Sequence, residues 1–240
     1  MSVALNKENF VLHKLHSLTG VIPVGFYMLQ HLTLNSFSVA GPAYFDGVIH
    51  FFEGIPKHLL LAMEVFAIWI PLLFHSIYGL FITRRARQNF IGTKYGWSQN
   101  RMYWLQRVSG IFIFIFLSYH VATTTGAKYL YNNPDLIRYA GMQKALSGYG
   151  YGVFVLYALG ILASSYHLSY GLWNLCIRWG ITISDDAQAK VQQFSLGMFV
   201  AVTLLGWAAL GGFLIHKTDG QSSPKGETLK AQIGTITRSS

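Results

Sequence analysis

Long uncharged stretches alternate with short polar segments along this chain. Five apolar runs stand out, at about 18–37, 59–82, 108–127, 150–176 and 194–215. Each is long enough to cross a hydrocarbon core about 30 Å thick. A crossing segment must satisfy its own backbone hydrogen bonds, so the runs read as helices. No ten-residue alternation of apolar and polar positions suggests membrane strands. The expected fold is all-α: a five-helix integral membrane bundle over residues 1–216. Residues 217–240 are rich in Gly, Ser, Thr and Lys, show no apolar period and read as a flexible tail.

Composition supports a membrane protein. The 240 residues are 52% hydrophobic and only 11% charged, with a mean hydropathy of +0.36. Soluble domains carry about 25% charged residues. The net charge of +9 does not point to nucleic acid, because the basic residues sit in clusters between apolar runs. They read as span flanks that meet anionic lipid or an acidic partner. The densest cluster lies between the second and third runs: Arg84, Arg85, Arg87, Lys94, Arg101 and Arg107. It places that loop and the N-terminus in the cytoplasm and the C-terminus outside. The opening MSVALNKENFVLHKLHSL lacks the pattern of a removable signal peptide.

Cys176 is the only cysteine. A single thiol excludes an iron–sulfur cluster or a four-cysteine zinc site held by this chain alone. Any redox centre must use other ligands, and the chain has nine histidines. Four of them, His31, His75, His120 and His167, lie deep in four different runs. Ionisable residues at that depth are costly and mark functional sites. At about 1.5 Å per residue, His31 lies roughly 20 Å and His120 roughly 18 Å above the cytoplasmic side. On the same scale His75 lies roughly 11 Å and His167 roughly 14 Å up. Two levels result, each with a histidine from two helices. Paired neutral imidazoles suit bis-histidine haem, and two levels suit two haems stacked across the membrane. A lone membrane histidine is ordinarily a helix–helix hydrogen-bond partner. The competing reading of all four is a proton relay in a proton-coupled transporter without haem. Relays usually mix in carboxylates, and the only acid within a run is Glu64.

Small residues near the histidines, namely Gly25, Gly79, Gly110, Gly160 and Gly171, allow room for a porphyrin or ordinary close helix packing. Pro71 should disturb the helical hydrogen bond to the Ala67 carbonyl and kink its span.

The segments LHSLTGVIPVG, QHL, IPLLFHSIYGL, LQRVSG, SYHV and SYHLSYGLWNLCIRWGI occur in this order. They resemble the cytochrome b subunit of bacterial succinate dehydrogenases and fumarate reductases. The resemblance covers about residues 10–215 and is to the single-chain, five-helix, di-haem type of Gram-positive bacteria. It implies a multi-pass subunit of the bacterial cytoplasmic membrane, docked to a flavoprotein subunit and an iron–sulfur subunit. It also implies two b-type haems and electron exchange with menaquinone, in respiration and the tricarboxylic acid cycle. Carried over by motif, His31 and His120 would hold the outer haem iron, and His75 and His167 the inner one. The inner haem's propionates would meet His16, Ser17, Arg107 or Arg178. The quinone site would lie near the outer haem, with Glu64, His50 and Glu53 as candidates. One departure is that Ser164, Ser165 and Tyr166 stand where some di-haem members carry a buried acid, so no compensating proton path is expected. The resemblance implies that electrons from succinate reach menaquinone, a poor acceptor, with help from the membrane potential. That potential supplies about 2.3 kcal/mol per charge per 100 mV. No dinucleotide-binding glycine fingerprint follows a strand, so succinate oxidation itself is not expected on this chain.

Overall fold

The computed structural model describes residues 2–85 and 98–218, and all regular structure among these residues is helical. Helix α1 spans Ser2–Val21, α2 Pro23–Asn35, α3 Pro42–Glu53 and α4 Lys57–Arg85. Helix α5 spans Ser98–Leu130, α6 Tyr139–Leu146, α7 Gly148–Arg178 and α8 Asp185–Ile215. Short 3-10 turns occupy Ser36–Ala40 and Pro134–Ile137. Arg87, Lys94 and the tail from residue 219, expected to flex, lie outside the described residues.

Helices α4, α5, α7 and α8 are long and apolar enough to cross a membrane. Each extends beyond the run read from hydropathy, because polar first and last turns continue the helix past the apolar stretch. The expected first span is divided. Pro23 has no N–H to continue the ladder, and the chain turns at Ile22 between α1 and α2. The Pro71 disturbance takes the form of a widened π-helical stretch over Glu64–Trp69, where the Ile70 N–H reaches back to the Val65 carbonyl. A second π stretch interrupts α5 at Ala122–Gly126.

Two helices stand where sequence reading left connecting loops. Pro42 opens α3 at a position where its missing N–H costs nothing. Gly41, at φ +111°, supplies the turn that precedes it. Phe45, Val48, Ile49 and Phe52 then fall on one face of α3. Helix α6 buries Tyr139, Met142 and Leu146. These short helices close one end of the bundle over Phe116, Val153, Tyr157, Leu210 and Phe213. Tyr139 is fully buried and donates its hydroxyl to the Gly212 carbonyl at 2.5 Å. Ser38, also fully buried, donates to the Ala209 carbonyl at 2.6 Å.

Helix α8 packs mainly along α7, α7 also packs along α5, and α1 lies against α4 and α7. Ser184 caps the N-terminus of α8 by accepting the Ala187 N–H, and Asp185 and Asp186 complement the helix dipole. Outward-facing apolar side chains are widely exposed, with Phe66 at 72%, Ile77 at 64% and Ile115 at 63%. A surface of this kind suits acyl chains rather than water.

Candidate functional site

The four deep histidines meet in two pairs. The His75 and His167 rings, from α4 and α7, lie 6.0 Å apart between centroids, with planes at 90°. The His31 and His120 rings, from α2 and α5, lie 5.8 Å apart at 79°. Imidazole nitrogens bind first-row metals at about 2 Å, so two rings on opposite sides of one iron have centroids about 6 Å apart. Both pairs match that spacing.

The second nitrogens of three rings are engaged in the way metal-ligating histidines require. His75 Nδ1 donates to the His16 carbonyl at 2.9 Å. His167 Nδ1 donates to the Gln106 carbonyl at 3.0 Å and lies 3.1 Å from Ser109 Oγ. His120 Nδ1 lies 3.1 Å from the Tyr157 hydroxyl. The tautomer that carries its proton on Nδ1 leaves Nε2 to coordinate. The donor set suits haem: four imidazoles, two per iron. Among the described residues no group of three or more His, Cys, Asp or Glu gathers as a metal cage, and bis-histidine haem needs none.

Around the His75–His167 pair lie buried polar atoms without a hydrogen-bond partner: His16 Nδ1, Tyr78 Oη, Gln106 Oε1 and Arg107 Nε. Such orphans are rare in a finished interior and indicate a missing polar group. The Arg107 guanidinium lies 4.0 Å over the Tyr103 ring. The His16 ring stacks on His75 at 4.1 Å and 8°. Ser17 Oγ accepts the Trp179 indole N–H at 3.1 Å, and Arg178 donates to His13 Nδ1 at 3.5 Å. Burial, then the Arg178 guanidinium, holds the His13 imidazole below its usual pKa. His16, Ser17 and Arg178 thus share the junction of α1 with the end of α7. Arg107 stands on α5, one turn before the glycine that meets His167.

The quinone-site candidates separate. Glu64 opens the π stretch of α4, and on α2 the Tyr27 ring lies 5.7 Å from His31. Among the described residues no hydrogen-bond or ion-pair partner reaches the Glu64 carboxylate. His50 and Glu53 lie elsewhere, on α3. Arg138 Nη2 donates to Glu53 at 3.1 Å, and Arg138 Nη1 lies 3.1 Å from His50 Nε2. Among the described residues no contact joins these two to Glu64 or to the His31–His120 pair. An open apolar groove of about 490 Å³ lies between α2 and α3, lined by Gln30, Leu34, Phe37, Tyr44, Val48 and Phe52 among others. Gln30 is the chain neighbour of His31.

The small residues near the histidines lie close to neighbouring side chains. A Cβ at Gly110 would touch His167, one at Gly79 would touch His16, and one at Gly25 or Gly160 would strike Leu168 or Phe116. Sequence reading missed Gly20, Gln106, Ser109 and Tyr157. The segments LHSLTG and LQRVSG contain the first three, but spacing alone does not show which residue of a neighbouring helix reaches a histidine.

No family model matches this sequence. The succinate dehydrogenase cytochrome b558 subunit of Bacillus subtilis (strain 168) is 34% identical over 209 residues, covering 87% of this chain and 98% of that protein. Identity at this level, sustained over nearly the whole of both chains and joined to an all-helical, membrane-compatible fold, assigns the chain to the family of succinate dehydrogenase cytochrome b558 subunits.

Proposed function

We propose that this chain is the di-haem membrane anchor of a bacterial succinate:menaquinone oxidoreductase. It would carry electrons from a cytoplasmic iron–sulfur subunit to menaquinone. The observation that carries this reading is the meeting of four imidazoles from four helices in two pairs at iron-spanning distance. Haem iron, when bound, supplies reversible one-electron transfer.

His75 and His167 would hold the inner haem, and His31 and His120 the outer one. Arg107 would pair with an inner propionate through a guanidinium that has a buried, unpartnered Nε. His16, Ser17 and Arg178 stand beside it at the same end. Glu64 is the proton-handling candidate for the outer haem's side. His50 and Glu53, held by Arg138, would order the outer surface around the groove. A groove of 300–1,000 Å³ suits a small apolar ligand. The α2–α3 groove falls in that range and is lined by Gln30, the chain neighbour of His31, so it is the proposed seat of the quinone ring.

The five-span topology forms part of the same reading. Ile22 keeps right-handed helical angles, and the bonds from Ile22 N–H to Leu18 O and from Phe26 N–H to Ile22 O carry the ladder across the Pro23 kink. Helices α1 and α2 would therefore cross as one bent span. With the arginine-rich loop inside, the N-terminus would lie in the cytoplasm and the C-terminus outside. The flavoprotein and iron–sulfur subunits would dock at the arginine-rich inner end.

The experiment is reduction of the purified complex by succinate, followed in the haem bands with and without menaquinone. Haem that reduces with succinate and reoxidises with the quinone supports the reading. A chain without haem absorbance would instead support the transporter. Haem that ignores both substrates would leave only a scaffold.

A further inference from the structure

Both rings of the His75–His167 pair are held by the same device. His75 donates to the His16 carbonyl, and its ring lies against Gly20, four residues further along α1. His167 donates to the Gln106 carbonyl, and its ring lies against Gly110, four residues further along α5. In a helix the carbonyl of residue i faces the N–H of residue i+4, and the side chain at i+4 stands beside it. At both sites the glycine at i+4 leaves the imidazole room to approach that carbonyl closely. A Cβ on Gly20 would overlap His75 Cε1 and lie 2.5 Å from His75 Nδ1. A Cβ on Gly110 would lie 3.0 Å from His167 Cε1.

The relation is reciprocal. Four residues after His75 stands Gly79, and a Cβ there would meet the His16 ring at 3.0 Å. Four residues after His167 stands Gly171, and a Cβ there would meet Gln106 Nε2 at 3.4 Å. Gln106 Nε2 also donates to the His167 carbonyl at 3.0 Å. Two crossed clasps result. One joins His16 and Gly20 to His75 and Gly79; the other joins Gln106 and Gly110 to His167 and Gly171. In the second, each side chain donates to the other's carbonyl. In the first, His75 donates to the His16 carbonyl and the His16 ring stacks on His75.

We propose that these two clasps are the positioning device of the inner haem: His16, Gly20, Gln106 and Gly110 fix the rotamer and the Nδ1–H tautomer of His75 and His167 before the haem arrives. Ser109 belongs to the device as a second acceptor for His167, since its hydroxyl donates to the Gln106 carbonyl at 3.0 Å and offers its lone pairs to Nδ1. The His31–His120 pair has no such carbonyl clasp among the described residues, because His120 meets a tyrosine hydroxyl instead. This inference rests on the haem-ligand reading above.

The test uses the assembled complex, with haem content and separate redox midpoints for the two haems. Gly20→Ala halves the haem per chain by removing the inner haem, and the outer midpoint stays in place. Ser109→Ala removes one acceptor, keeps both haems and raises only the inner midpoint. Gly197→Ala, where a Cβ meets open space, changes neither haem. If Gly20→Ala does not accumulate, Ser109→Ala decides the matter. An unmoved inner midpoint in Ser109→Ala overturns the clasp. So does a Gly20→Ala complex with both haems unaltered. A wild-type complex without two haems refutes the function reading itself, a separate outcome from failure of the clasp.

Discussion

Replacing Tyr157 with phenylalanine removes the hydroxyl that lies 3.1 Å from His120 Nδ1 and leaves the ring packing against Phe116. With Nε2 on iron, His120 carries its proton on Nδ1 and donates it to the Tyr157 oxygen. Oxidised iron withdraws density from the imidazole, so this hydrogen bond is stronger in the ferric state. Losing it destabilises that state and raises the midpoint. A neutral hydrogen bond contributes about 0.5–1.5 kcal/mol. For a one-electron couple about 1.4 kcal/mol corresponds to about 59 mV, and only the difference in bond strength between the two oxidation states counts, so the expected shift is upward and at most about 60 mV. The His75–His167 pair is insulated, because its Nδ1 acceptors include backbone carbonyls at 2.9 and 3.0 Å that the substitution does not touch. The assay is a potentiometric titration of Tyr157→Phe against wild type, with the two haems resolved in the visible bands. A downward shift, no shift, or an equal shift of both haems refutes the reasoning.

His75→Ala should abolish the inner haem and spare most of the outer one, and His31→Ala the reverse; pyridine haemochrome assay and the reduced spectrum report both, and two variants that each retain both haems would refute the pairing. Gly47→Leu should fill the α2–α3 groove, where a Cβ at Gly47 meets open space, and slow quinone reduction by tenfold or more at intact haem content; an unchanged rate in steady-state kinetics with a menaquinone analogue would remove the groove from the account. Tyr139→Phe strips the buried Gly212 carbonyl of its tyrosine donor and should cost about 1–3 kcal/mol, read as a lower thermal unfolding temperature in detergent; an unaltered transition would show that the end cap does not limit stability.

Much of the architecture is legible in the sequence because the bilayer imposes one length scale on apolar runs. Span ends plus helical rise give the levels of His31, His75, His120 and His167, since a straight helix converts residue number into height. The same arithmetic is blind to rotation about each axis. It therefore does not reveal that His75 faces Gly20 or that His120 faces Tyr157. The break at Ile22 follows from Pro23, yet a hydropathy run counts proline as one more apolar position. Helices α3 and α6 escape because they are too short to span, although the spacing of Phe45, Val48, Ile49 and Phe52 carries a helical period. His50 and Glu53 read as quinone-site candidates in a connecting loop, with no partner legible in the sequence. Their partner Arg138 lies more than eighty residues away, and only the fold brings it there.

The account stands on two irons per chain, each between two imidazoles. The most direct measurement is the ratio of non-covalent b-type haem to polypeptide in the purified complex, combined with a redox titration. Two haems per chain with two separate midpoints are expected. A ratio of one, or a complex without b-type absorbance, would contradict it.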